Sequence, residues 1–296
     1  MNAGSPFMAA ILSGRLNTPE EWVEYLAAFH LDHPEANELF TLLLTPGGET
    51  SYQILARAAA GFSPTSVLDV GCGEGNLEDP LLALCPPTVR MTGIDLSARA
   101  VEIARGRHAL EKGVHFDVGS AYALPYEDET FDLVVAHQML NFARFPEDVL
   151  REAARVLRPG GHIVVASNRG WKKHRENTWI YLDIAAREAV QRLYPAFVWP
   201  AMGDARMYDD AAIASVFQAV DELDARTLKI TEFTTGAFMS PQHLAAMYNR
   251  LYVYGSIPER SAIHDAVIAR ARDLADRRNL VEIELPFRLI SVAKRS

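Results

Sequence analysis

Three glycines on alternate positions, Gly71, Gly73 and Gly75, follow an apolar run that carries Asp69, and a second carboxylate, Asp95, closes the next apolar run. Glycine takes positive φ without penalty and lets the main chain pass close to whatever lies against it, so a sharp turn beside a ligand favours it. A carboxylate at a strand end can accept hydrogen bonds from both hydroxyls of a ribose. The Gly-x-Gly-x-Gly spacing differs from the Gly-x-Gly-x-x-Gly of pyrophosphate-cradling turns. The set therefore points to a ligand with adenosine and ribose but no pyrophosphate. In a plainer reading Asp69 is a strand-end cap and Asp95 a helix N-cap, and their placement around the turn favours binding.

The elements that must hold these residues alternate in type. Short apolar runs at Val67–Val70, Met91–Ile94, Val114–Phe116, Leu133–Val135 and Ile163–Val165 are separated by helical patterns at Asp79–Leu84, Ala98–Lys112 and Pro146–Leu157. Strands joined by helical crossovers imply a parallel sheet covered on both faces. Before them, Thr18-Pro19-Glu20-Glu21 reads as a helix start, with a cap, a first-position proline and acidic residues in the first turn. Trp22, Val23, Tyr25, Leu26 and Phe29 then recur at helical spacing, and a further helix is expected from Ser51 to Ala60. Beyond residue 171, helices are expected at Asn177–Leu193, Asp210–Val220, Pro241–Val253 and Glu259–Asp276, with strands at Leu228–Phe233 and Phe287–Ala293.

Four blocks, in order, carry a family resemblance: VLDVGCGEGN (67–76), GIDLS (93–97), ALPYEDETFDLVVAHQML (123–140) and REAARVLRPGGHIVVA (151–166). Together they resemble the class I S-adenosylmethionine-dependent methyltransferases over roughly Ser66–Ser167, about a third of the chain. The resemblance implies a Rossmann-like α/β fold, a doubly wound seven-stranded mostly parallel sheet. It implies an N-terminal helical lid over 1–60 and a core over 61–296, with helical caps inserted near 171–200 and 238–277.

It also implies S-adenosyl-L-methionine as cofactor. Gly71, Gly73 and Gly75, with Cys72 among them, would wrap its methionine and ribose parts, and Asp69 would anchor the turn and reach its amine. Asp95 would hold the ribose, with Leu96 packed on adenine and Ser120 and Ala121 at the adenine edge. The family usually has Asp where Ser120 stands, which implies a weaker adenine contact. His137 would lie near the methionine end and the acceptor, and Tyr52 would close over the cofactor.

Catalytic groups are harder to read, because a sulfonium is already activated and the protein mainly aligns, desolvates and, where needed, takes a proton. His137 is a candidate base, and equally a satisfied wall residue; Gln138 and Asn141 are weaker candidates. Tyr248 and Tyr252 lie in a helical stripe with Leu244, Met247 and Leu251, where packing is the plainer account and an acceptor pocket the sharper one. Trp171, Trp179 and Trp199 are similar. Cys72 reads as a small filler beside the glycines. His30, Asp32, His33 and Glu35 suggest a metal, but Pro34 interrupts the helix and no second cluster answers them, so no metal is expected.

The 296 residues, 49% hydrophobic and 23% charged, describe an ordinary globular protein. A net charge of -9 and the lack of a basic run argue against nucleic acid; Lys172-Lys173 and Lys294-Arg295 read as solvated. Two cysteines suit a reducing compartment, and the absence of a leader and of a membrane-length apolar stretch suits the cytoplasm. The helical attachments offer surfaces for a homodimer.

The leading expectation is methyl transfer to a small, largely apolar acceptor through O, N or C. Ala136-His137-Gln138-Met139 is not the Asn/Asp-Pro-Pro-Tyr/Phe used on amides, no catalytic Pro-Cys is present, and no acidic trio suits a magnesium-dependent catechol site. The alternatives are a cofactor-binding relative catalysing a non-methylating reaction such as cyclisation, or a non-catalytic partner. A nicotinamide dehydrogenase fits the glycine spacing poorly.

Overall fold

The computed structural model describes residues 5–33, 39–169 and 178–296. Helices α1 (Pro6–Leu12), α2 (Pro19–Asp32), α3 (Leu39–Leu42) and α4 (Ser51–Ala60) precede the first strand. Strands β1 (Ser66–Val70), β2 (Arg90–Asp95), β3 (Val114–Val118), β4 (Phe131–His137) and β5 (Leu157–Asn168) follow, with α5 (Glu78–Leu84), α6 (Ala98–Arg107) and α7 (Pro146–Val156) between them. Then come α8 (Thr178–Leu193), α9 (Ile213–Gln218), β6 (Leu223–Met239), α10 (Pro241–Tyr248), α11 (Tyr252–Ser256), α12 (Arg260–Leu274) and β7 (Val281–Lys294).

The chain divides into two compact units, one of Leu44–Gly170, Met202–Thr234 and Pro286–Ser296, the other of Met1–Leu43, Trp171–Ala201 and Thr235–Leu285. Helices α1 to α3 fall in the helical unit and α4 in the sheet unit.

In the sheet unit the strand order is β3-β2-β1-β4-β5-β7-β6, seven strands in one sheet, with β6 and β7 running on into the other unit. Parallel pairing joins β3 to β2, β2 to β1, β1 to β4 and β4 to β5, while β7 runs antiparallel to β5. This is the doubly wound, mostly parallel sheet that alternating elements imply. All five residues of β1 are buried, as a central parallel strand covered on both faces requires. Helix α7 turns Val149, Leu150, Ala153 and Val156 onto the sheet, and each large apolar side chain so buried contributes about 1.5–3 kcal/mol.

Crossovers run one way from β1 to β2 and β3, and the other way to β4 and β5. The carboxyl ends of β1 and β4 therefore flank the switch point, where open α/β sheets form their crevice. No helix joins β3 to β4. The loop between them is tied down by α7: Glu152 accepts from the Leu124 N–H at 2.8 Å, and Arg155 donates to the carbonyls of Leu124 and Tyr126 at 2.9 and 2.8 Å.

The helical unit is built on aromatic packing. Phe7 stacks on Tyr25 with centroids 4.1 Å apart, Trp22 and Phe29 join them, and the Tyr25 hydroxyl meets Ser256 Oγ at 2.8 Å. Thr18 and Glu21 form the capping box that starts α2. The expected helix over 241–253 is two helices, α10 and α11, separated at Asn249–Leu251. Helix α6 stops at Arg107, not Lys112, because His108 turns away and its Nε2 lies 2.8 Å from the Gly75 carbonyl oxygen. Among the described residues no helix is long and apolar enough to cross a membrane.

Candidate functional site

The turn after β1 is held from behind. Gly71, Gly73 and Gly75 all have positive φ, at 76°, 54° and 74°. A Cβ on Gly71 would strike the Met139 side chain, and one on Gly75 would fall 2.9 Å from the His108 ring. Tight packing against the protein itself thus adds to the conformational reason for glycine at both positions. The N–H groups of Gly71 and Cys72 both donate to the Ile94 carbonyl, at 2.7 and 3.1 Å, which locks the turn to the end of β2.

Asp95 completes that lock. Its Oδ2 accepts from the Gly73 N–H at 2.9 Å and its Oδ1 from the Ser97 N–H at 2.8 Å. Each oxygen keeps a further lone pair for a ligand hydroxyl. Leu96 beside it is 36% exposed, an apolar face open to a flat ring. The Gly119 N–H donates to the Asp95 carbonyl at 2.9 Å, bringing Ser120 and Ala121 alongside; Ser120 Oγ accepts from the Tyr122 N–H at 3.2 Å. Asp69, the glycine turn, Asp95, Leu96, Ser120, Ala121 and His137 thus gather along the carboxyl rim of β1 to β4.

His137 ends β4 under the start of α4. Thr50 and Gln53 cap that helix reciprocally, which sets Ser51 and Tyr52 at its first positions. Ser51 Oγ lies 2.8 Å from His137 Nε2, and the Tyr52 ring stacks on the imidazole with centroids 3.9 Å apart. Burial pulls the His137 pKa down to about 3, so the imidazole is neutral at physiological pH. A histidine that is neutral when folded but protonates when unfolded weakens folding as pH falls below its unfolded value near 6.5, down to about 3. Between about pH 8 and 5 this is expected to remove about 2 kcal/mol of stability. His137→Gln should lose less over the same range; equal slopes in urea titrations of the two proteins would count against the neutral assignment.

Behind the turn sits a pair of buried acids. Asp69 is 3% exposed with Oδ1 lacking a hydrogen-bond partner, and Glu78 is 1% exposed with both carboxyl oxygens lacking one. Burial pushes the Asp69 carboxyl well above its usual range, with Glu78 and then Asp95 adding to the effect. Burial also pushes Glu78 up to about 8, its own backbone N–H, too poorly aligned to count as a partner, and Arg107 opposing the shift and Asp79 adding to it. Tyr52 is held above its ordinary value by burial and by Asp69, against a hydrogen bond from Asn76. Two unpaired buried acids are costly to folding, so a cation brought to them would bind with charge-assisted hydrogen bonds.

Other candidate residues lie elsewhere. Tyr248 is fully buried within the helical unit, stacked on Trp179 at 5.2 Å, and Tyr252 packs against Phe29 and Trp22 in the same unit. Trp199 receives the Arg187 guanidinium at 3.9 Å. Asn141 is fully buried, accepting from Ser167 Oγ at 2.8 Å and donating to the Asn168 carbonyl at 3.2 Å. Gln138, at φ 59°, accepts from the Asn168 N–H at 3.1 Å and leaves its buried Nε2 without a partner. Cys72 is 7% exposed, and burial, then Glu78 and Asp69, keeps its thiol protonated. Trp171 and Glu35 lie outside the described residues, as do the side chains of His30 and Asp32. Among the described residues no group of three or more His, Cys, Asp or Glu could hold a metal ion.

Sequence patterns pass over Ser51 and Glu78. Ser51 looks like an ordinary residue after a cap, and Glu78 like a solvated first-turn acid; only the burial of α5 against α4 sets them apart.

Residues 68–165 match the family model of a methyltransferase domain. The chain is 41% identical over 103 residues to Methyltransferase GfsG of Streptomyces halstedii, covering 34% of this chain and 36% of that one. It is 30% identical over 166 residues to the Ubiquinone biosynthesis O-methyltransferase of Pasteurella multocida, covering 50% of this chain and 65% of that one. These matches span less than two thirds of either relative. The solved structure of the YcgJ protein of Bacillus subtilis superposes with a TM-score of 0.56 at 17% identity, covering 83% of this chain and 98% of that one, a likeness of fold.

Proposed function

We propose that this chain, whose core belongs to the class I S-adenosylmethionine-dependent methyltransferases, transfers a methyl group from S-adenosyl-L-methionine to a small-molecule acceptor. The observation that carries the reading is the locked turn Gly71–Gly75 with Asp95 bonded across it, at the switch point of the sheet. The residues present fit the cofactor. Asp95 keeps lone pairs for the ribose hydroxyls, Leu96 offers an apolar face to adenine, and the unpartnered Asp69 suits a cationic amino group. When bound, the cofactor supplies a methyl carbon already activated by a sulfonium, open to displacement by a nucleophile.

The chain's part is then orientation and exclusion of water. His137, neutral and bonded to Ser51, acts as a wall and polar anchor beside the acceptor, and Tyr52 covers it. Ser120 and Ala121 flank the adenine edge. Tyr248 and Tyr252 serve the helical unit by packing. A net charge of -9 disfavours a phosphate backbone as acceptor, and the proposed setting is the cytoplasm.

Titration calorimetry with S-adenosylmethionine and with S-adenosylhomocysteine tests the reading. Micromolar binding of both is expected, followed by incorporation of labelled methyl into an acceptor. Absence of binding by both would leave the fold with another task.

A further inference from the structure

We propose that Glu78 and Asp69 together form a proton-linked seat for the α-ammonium group of the bound cofactor, so that binding releases a proton to solvent. This rests on the cofactor reading above and adds Glu78 to it as a positioning residue. The two carboxyls stand behind the glycine turn, at 1% and 3% exposure, with three of their oxygens unpartnered. A buried acid with no hydrogen-bond partner is stable only as the neutral acid, and one deep in the fold needs a reason to be there. A cation delivered to the turn provides one. Its N–H groups satisfy the orphan oxygens, and its charge makes the ionised pair the favoured form.

The surroundings leave no rival cation for that place among the described residues. On α5 itself Asp79 adds negative charge, while Arg107 of α6 is committed to Asp79 and Asn76. His108 of α6 is turned to the Gly75 carbonyl. From the turn and β2 the neighbours are Glu74, Cys72 and Asp95, and from α4 comes Tyr52, all neutral or negative. Arg57 on α4 pairs with Glu49 at the surface. The pair is therefore protonated at pH 7, burial raising both carboxyls and Glu78 to about 8, and a proton leaves to buffer when the cation arrives.

The test is calorimetry of S-adenosylhomocysteine binding at pH 7 in two buffers of low and high ionisation enthalpy, phosphate and Tris. The wild-type protein is expected to release about one proton, and its affinity to rise up to tenfold per pH unit below the titration of Glu78. 5′-Methylthioadenosine, which has the adenosine but no amino-acid part, is expected to bind with no release. Glu78→Gln is expected to bind S-adenosylhomocysteine more weakly, with less release than wild type, at an unchanged or higher Tm. Equal enthalpies in both buffers for the wild type would overturn the seat while the cofactor reading stood. Proton release undiminished in Glu78→Gln, or release that accompanies 5′-methylthioadenosine, would also overturn it. Failure of both ligands to bind would overturn the cofactor reading itself.

Discussion

Asp210→Ala is expected to lower folding stability by about 3–5 kcal/mol, because it strips a buried guanidinium of its counter-ion. Arg288 is 1% exposed; its Nε and Nη2 both donate to Asp210 Oδ1, and its Nη1 donates to the Met207 carbonyl at 3.0 Å. Arg169 approaches the same carboxylate from the end of β5, at 3.0 and 2.5 Å, and also pairs with Glu232. Urea titration should register the loss with an unchanged m-value. Adding Arg288→Met should recover part of it, since an apolar side chain tolerates the site that a lone charge does not. A loss below about 1 kcal/mol would mean that water already solvates the pair.

The same site has a pH signature. The Arg169 and Arg288 guanidinium groups hold the Asp210 carboxyl well below the usual carboxylate range. Its contribution is therefore complete above the unfolded value near 4 and is lost as pH falls through the folded value. Wild type should lose stability more steeply than Asp210→Ala below about pH 4.

What could be read from the residue order is the part whose chemistry is local. Gly71, Gly73 and Gly75 announce a turn, and the positive φ at each is what a missing Cβ permits. The apolar runs of β1 and β4 announce buried strands, and Thr18 and Glu21 announce a helix start. The rest depends on contacts distant in sequence. Glu78 and Asp79 are neighbours of one type, yet one is buried against α4 and the other pairs with Arg107 at the surface. Asp210 shows nothing in its surroundings along the chain, because its partners are distant in sequence, Arg169 just after β5 and Arg288 on β7. His137 reads as a base by type and position, while its partner Ser51 lies far upstream and its ring is sealed by Tyr52.

For the cofactor site the corresponding expectation is that Asp95→Ala weakens S-adenosylhomocysteine binding by about 1–3 kcal/mol, or roughly 5- to 150-fold. Two losses combine. The ribose would lose its acceptor, and the Gly73 and Ser97 N–H groups would lose the carboxylate that fixes the turn. Ser97→Ala is the control for the helix that starts beside them. Ser97 Oγ accepts from the Ala100 N–H at 3.3 Å, so its removal should cost about 1 kcal/mol of stability as a lost helix cap while leaving Asp95 in place. Affinity near wild type in Ser97→Ala, with a large loss in Asp95→Ala, places the effect at the Asp95 carboxylate and not at the start of α6. S-adenosylmethionine and S-adenosylhomocysteine share that ribose, so both should weaken by the same factor in Asp95→Ala. A selective loss of one ligand would move the role of Asp95 away from the sugar and toward the sulfur, and unchanged affinity for both would remove the assignment.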